Sequence, residues 1–155
     1  MTRARHLLIP TLLLAAALTG CSSNDEPAAA ASAATTTAAA SSAPPVDGGT
    51  YDTPLLLVDA LKKGGVDCTG YSAIAQPTGA VARGNCHVAG EEYTIGIYAS
   101  AADARAQPNN MVELLDGVSD VDMVLGRNWT IGTPDEPSAR KVAGILGGEV
   151  FHQDA

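Results

Sequence analysis

Hydrophobic and polar positions divide this chain of 155 residues into three unlike stretches. An unbroken apolar run from Leu7 to Leu18 follows Arg3 and Arg5. Residues 22–50, SSNDEPAAAASAATTTAAASSAPPVDGGT, contain no aromatic residue and no large apolar residue except Val46. From residue 51 onward apolar residues return with a readable period. All six aromatics lie in this last stretch: Tyr51, Tyr71, Tyr93, Tyr98, Trp129 and Phe151.

The periodicity of residues 51–155 predicts a sequence of helices and hairpins. Thr53 is a good N-cap and Pro54 a good first helical residue, and Leu57, Val58 and Leu61 form an apolar stripe. Lys62 and Lys63 suit the C-terminal dipole, and Gly64 suits the stop. An irregular stretch with Gly70, Pro77 and Gly79 follows. Residues 80–88 and 93–99 alternate with a period of two and read as a hairpin turning at Ala89-Gly90-Glu91-Glu92. Ser100-Ala101-Ala102-Asp103 resembles a capping box and opens a second helix, expected to break or kink at Pro108. That helix continues through Met111, Val112, Leu114 and Leu115 to Gly117. Residues 122–125 and 129–131 read as a second hairpin around Gly126-Arg127-Asn128. Ala139, Val142, Ala143 and Leu146 then recur at helical spacing, and Gly147-Gly148 stops the last helix. Glu149-Val150-Phe151 reads as an added strand or a packed tail. The order α-β-β-α-β-β-α predicts an α+β fold. It would have two layers, a mainly antiparallel sheet of about four strands and helices packed on one face.

The first stretch has the form of an export signal. Twelve apolar residues fall short of the roughly 20 that span a bilayer as a helix, and match the apolar region of a signal peptide. Leu18-Thr19-Gly20-Cys21 resembles a bacterial lipobox. The resemblance covers residues 1–21 and implies cleavage between Gly20 and Cys21, with a diacylglyceryl group on the Cys21 thiol and fatty acyl chains such as palmitate. Each buried acyl methylene contributes about 0.8 kcal/mol, so two or three chains on Cys21 would hold the protein on the outer face of the cell membrane. The chain then divides into a signal peptide at 1–20, a lipidated Cys21 with a tether at 21–50, and a domain at 51–155. The tether lacks the apolar surface to offset backbone entropy and is expected to be disordered, with a reach of about 30 Å. Its Ser, Thr, Pro and Ala content also resembles segments that are O-glycosylated in actinobacterial lipoproteins.

Charge narrows the possible partners. The chain carries 9 Lys and Arg against 17 Asp and Glu, a net charge of -8, which excludes a nucleic-acid binder resting on a basic patch. The domain holds 14 of the acids (17 less Asp25, Glu26 and Asp47) and 7 of the bases (9 less Arg3 and Arg5). Attraction to anionic headgroups is therefore not expected, and membrane association is assigned to Cys21. No second long apolar run exists, which excludes a multispan membrane protein.

With Cys21 reserved for lipid, Cys68 and Cys86 remain. An even residual count in an exported chain points to a disulfide. The other readings are two buried free thiols, or a metal or redox role. The spacing is not Cys-x-x-Cys, and only His87 offers a nearby third ligand.

Candidate chemistry is sparse, and no catalytic residue, metal site or cofactor is assigned. His87 is read as a solvent-facing strand residue and His152 as an exposed residue near the C-terminus. No Gly-x-Ser-x-Gly, Ser-x-x-Lys, His-Glu-x-x-His or phosphate-loop pattern occurs. Asp116, Asp120 and Asp122 lack the ligand offsets of a calcium loop and are read as an acidic connection. Asn128-Trp129-Thr130 matches the N-glycosylation triplet, taken as chance. Trp129 is assigned to the core beside Ile131, with a surface ligand platform as the other reading.

Gly65-Val66-Asp67-Cys68, Cys86, Leu125-Gly126-Arg127-Asn128-Trp129 and Leu146-Gly147-Gly148 together resemble small uncharacterised lipoproteins of high-GC actinobacteria. The resemblance implies an extracytoplasmic habitat and no activity. Two functional expectations follow. One is a membrane-anchored, non-enzymatic binding or interaction module for an envelope protein or small molecule. The other is a small envelope hydrolase using His87 or His152.

Overall fold

The computed structural model describes residues 43–155, Gln76 and Asp116 excepted. The expectations placed on the signal segment, Gly20, Cys21, the tether up to residue 42 and Asp116 lie outside the described residues.

Helix α1 (Pro54–Lys63) buries Leu57, Val58 and Leu61, the stripe expected from the sequence. Thr53 occupies the N-cap without a side-chain cap bond. At the other end the left-handed residue is Gly65, at φ +84°, one position beyond the expected Gly64. The Gly65 N–H donates to Lys62 O and the Val66 N–H to Leu61 O, the paired bonds of a Schellman motif. Val66 and Leu61 are both buried, which supplies the apolar contact that accompanies such a stop.

The chain next forms β1 (Thr69–Ala73), β2 (Ala82–Val88) and β3 (Glu91–Ile97), a three-stranded antiparallel meander. Ala89 and Gly90, at φ +53° and +95°, make the β2–β3 turn, so Glu91 and Glu92 belong to the strand and not to the turn. Helix α2 (Ala101–Leu115) begins at Ser100, whose hydroxyl accepts from the Asp103 N–H and donates to the Asp103 carboxylate. Helix α2 runs through Pro108 without a break, and Pro108 is buried. Strands β4 (Val121–Leu125) and β5 (Trp129–Thr133) form the second hairpin. Helix α3 (Glu136–Leu146) is capped by Asp135, whose carboxylate accepts from the Ser138 N–H at 2.8 Å. Hydrogen bonding from Ser138, its side chain first and its backbone N–H second, holds the Asp135 pKa below its ordinary value. Strand β6 (Glu149–Gln153) closes the domain against β4.

The sheet has six strands in the order β1-β2-β3-β5-β4-β6, and every neighbouring pair is antiparallel. The α+β class and the antiparallel sheet stand, while the count of about four strands is corrected to six. The order becomes α-β-β-β-α-β-β-α-β.

The placement of all helices on one face is also corrected. Strand β5 lies between β3 and β4, so β3 and β4 run parallel; likewise β4 lies between β5 and β6, so β5 and β6 run parallel. Helix α2 carries the first crossover and α3 the second. The two crossovers move the chain the same way across the sheet but start from strands of opposite direction. A shared right hand therefore requires α2 and α3 on opposite faces. One face carries Cys86, Tyr93, Ile95, Ile97, Trp129, Ile131 and Val124, and packs on α1 and α3. The other carries Arg83, Thr94, Thr130, Gly132 and Met123, and meets α2. Strand β4, covered from both sides, is buried at all five positions.

The folded unit starts earlier than the expected boundary at residue 51. The Gly148 N–H donates to Val46 O and the Arg127 N–H to Gly49 O, while Arg127 pairs with the Asp47 carboxylate. The disulfide forms between Cys68 and Cys86, with Cα atoms 5.5 Å apart, and both residues are buried.

Candidate functional site

The α2 face of the sheet is built from small and polar residues. Thr94 of β3 stands opposite Gly132 of β5, Gly96 opposite Thr130, and Met123 of β4 opposite Gly132. With two glycines and two threonines there, α2 does not seat flush on the sheet. A cleft of about 380 Å³ remains, walled by Met111 and Leu115 of α2 and floored by Thr94, Gly132, Val121 and Met123. That volume lies at the small end of the roughly 300–1,000 Å³ usual for small-molecule sites.

Arg83 of β2 enters this cleft beside Tyr98. Tyr98 is buried, and its ring folds back over Gly96, where an added Cβ would stand 2.6 Å from the phenol oxygen. A residue with a side chain at 96 would displace Tyr98. The Tyr98 hydroxyl lies 3.1 Å from Thr130 Oγ1 and accepts from Arg83 Nη2 at 3.2 Å. Arg83 Nη2 also donates to Gln107 Oε1 on α2 at 3.3 Å. Two of the five guanidinium N–H donors are thereby used. Among the described residues no carboxylate forms an ion pair with Arg83, and its buried Nε has no partner. Asn85, two residues along the same face of β2, also has a buried, unpartnered Oδ1. Glu92 and Asp120 line the far end of the cleft, so among the described residues it holds one cation, with acids at the opposite end.

Sequence reasoning did not single out Arg83. An arginine on the polar face of an alternating strand reads as a solvated residue, and α2 was placed on the opposite face. The available signal was the run of glycine and threonine at 94, 96, 130 and 132, which is too small to close against a helix.

Trp129 lies in the core, as expected from Ile131 on the same face, and is fully buried. Its Nε1 donates to Gly48 O at 3.1 Å, and Tyr51 meets it edge-on with ring centroids 6.1 Å apart. Gly126 and Gly48 crowd the indole so closely that a Cβ at either would collide with it. The Gly49 N–H and the Arg127 guanidinium hold the Asp47 carboxyl below its ordinary pKa, which keeps the covering segment's charge pair in place.

The histidines diverge. His87 is exposed on β2. His152 is paired, with Nδ1 2.7 Å from Asp122 Oδ1 and Nε2 3.1 Å from Asp154 Oδ1. The hydrogen bond to Asp122 raises the His152 pKa above its ordinary value. Desolvation opposes this, and the charges of Asp122, Asp154 and Glu136 add to it. Asp122 is a β4 residue whose side chain is only 5% exposed, which explains its tight partner. Asp120 instead accepts from the Ala155 N–H at 3.0 Å. Among the described residues no group of three or more His, Cys, Asp or Glu side chains is arranged to hold a metal ion. Neither is any described helix long and apolar enough to cross a membrane.

No protein-family model, no curated protein and no solved structure matches this chain.

Proposed function

We propose that this chain is a lipid-anchored extracytoplasmic lipoprotein whose folded domain is a non-enzymatic binding module, taking a small molecule into the cleft between α2 and the sheet. The observation that carries the binding reading is Arg83, a charged side chain set into a mostly apolar cleft with no carboxylate partner among the described residues. A half-buried guanidinium held by neutral partners and no counter-ion is a feature of binding sites more than of inert packing.

The anchoring reading rests on Arg3, Arg5, the apolar run and Leu18-Thr19-Gly20-Cys21. The Cys68–Cys86 disulfide supports it, because such bonds persist in oxidising compartments outside the cytoplasm. The two carboxylates on His152 support a structural role for that residue, since both ring nitrogens are engaged and neither is left to take a proton from a nucleophile.

Two measurements test the proposal. Mass spectrometry of the membrane fraction is expected to find Cys21 acylated, and Cys21→Ala is expected to leave the membrane; a Cys21→Ala protein that stays bound refutes the anchor. For the cleft, protein purified from its own envelope is extracted and analysed for small molecules, with Gly132→Val as the blocked control. A molecule that comes with the native protein and not with the variant is expected. Equal recovery from both, or recovery from neither, refutes the binding module.

A further inference from the structure

We propose that the cleft ligand is a small amphiphile bearing a single carboxylate, its head on Arg83 and its apolar part along Met111, Leu115, Val121 and Met123; this rests on the binding-module reading above. Two features of the cleft separate the ends of such a molecule. At one end stand the Arg83 guanidinium, the Tyr98 hydroxyl and the Gln107 amide, within 3.3 Å of one another in sequence along the hydrogen-bond chain. Away from them the walls are Met111, Leu115, Val121 and Met123, with Glu92 and Asp120 at the far rim beside Val121. Of the five Arg83 N–H donors, Nη2 uses two on Tyr98 and Gln107 and Nε is buried, which leaves the two on Nη1 without an acceptor among the described residues. A planar guanidinium with free donors matches a carboxylate in geometry and charge.

The charge balance limits the head to one negative charge. Among the described residues Arg83 is the sole cation lining the cleft; Glu92 and Asp120 line it too, while the Asp122 carboxylate is engaged by His152. A dianionic head would have only the one guanidinium to offset its two charges. A cationic head would sit against Arg83 itself. The apolar walls give a neutral alcohol the same chain contacts but no charge-assisted bond. Flexible methionines at positions 111 and 123 suit a chain without fixed shape.

The test uses decanoate, decanol and decylamine as probes, titrated calorimetrically below their micelle concentrations into the domain-bearing protein. Decanoate is expected to bind about tenfold or more tighter than decanol, with decylamine weakest. Arg83→Met is expected to bring decanoate down to decanol. Gly132→Val is expected to lose all three probes. An added Cβ there meets only Thr94, at 3.8 Å, so the variant fills the cleft without strain in the strand. Equal binding of decanoate and decanol by the native protein overturns the carboxylate head and leaves the cleft reading intact. Native-like decanoate binding by Gly132→Val overturns both. The comparison of probes on the native protein stands even where Arg83→Met does not fold.

Discussion

The Trp129 indole donates its N–H to the carbonyl of Gly48, 81 positions earlier in the chain, at 3.1 Å. This bond ties the segment 45–50 to the core and makes it part of the domain. A chain starting at Tyr51 would leave the buried indole donor without an acceptor and would lose Asp47 opposite Arg127. An unmade buried hydrogen bond costs about 1–3 kcal/mol, so the melting temperature is expected to fall by roughly 4–15 °C relative to a chain starting at Ala43. Thermal unfolding followed by tryptophan fluorescence measures the difference; equal melting temperatures would show that the segment adds nothing.

The Cys68–Cys86 bond joins the end of the α1 stop to the centre of β2 across a sequence separation of 18. It holds the edge strand β1, exposed at four of its five positions, against β2. Replacing both cysteines with alanine is expected to cost about 2–5 kcal/mol in denaturant unfolding. Thiol labelling of the native exported protein without reductant is expected to modify neither residue.

His152 makes the docking of β6 sensitive to pH. Its folded pKa is raised by Asp122, so protonation favours the folded state. The contribution is fully present below the unfolded value of about 6.5 and is lost as pH rises through the raised folded value. The native melting temperature is therefore expected to fall with rising pH across that window, relative to His152→Gln, whose curve lacks this component. Parallel curves for the two proteins would contradict the assignment.

Much of the domain was legible because its core obeys local periods. The Leu57–Val58–Leu61 stripe, the α3 residues Ala139, Val142 and Leu146, and the alternation of Tyr93, Ile95 and Ile97 all point inward. Strand β1 was not legible. Its sequence Thr69-Gly70-Tyr71-Ser72-Ala73 has one large apolar residue, and its place is fixed by pairing with β2 and by the disulfide. The side taken by α2 was not legible either, because it follows from crossover handedness between distant strands. With α2 misplaced, Arg83 could be read only as a solvated strand residue. His152 looked unremarkable for the same reason, since Asp122 reaches it only through the β4–β6 register.

Gly64 closes α1 against Ile145 of α3, and an added Cβ would stand 2.2 Å from Ile145 Cγ2. Gly64→Ala is expected to force the helices apart or turn Ile145 from its rotamer, at about 1–3 kcal/mol. Denaturant titration measures the loss, and the added methyl is expected to be tolerated once Ile145 is shortened to alanine.

The central claim, that the α2 face of the sheet is a ligand site, is tested most directly by mapping amide chemical shifts during titration with decanoate. The account predicts shifts clustered at Arg83, Thr94, Met111, Met123, Thr130 and Gly132, absent in Gly132→Val. Shifts clustered instead around Trp129 and Val142 on the opposite face, or no shifts at all, would contradict it.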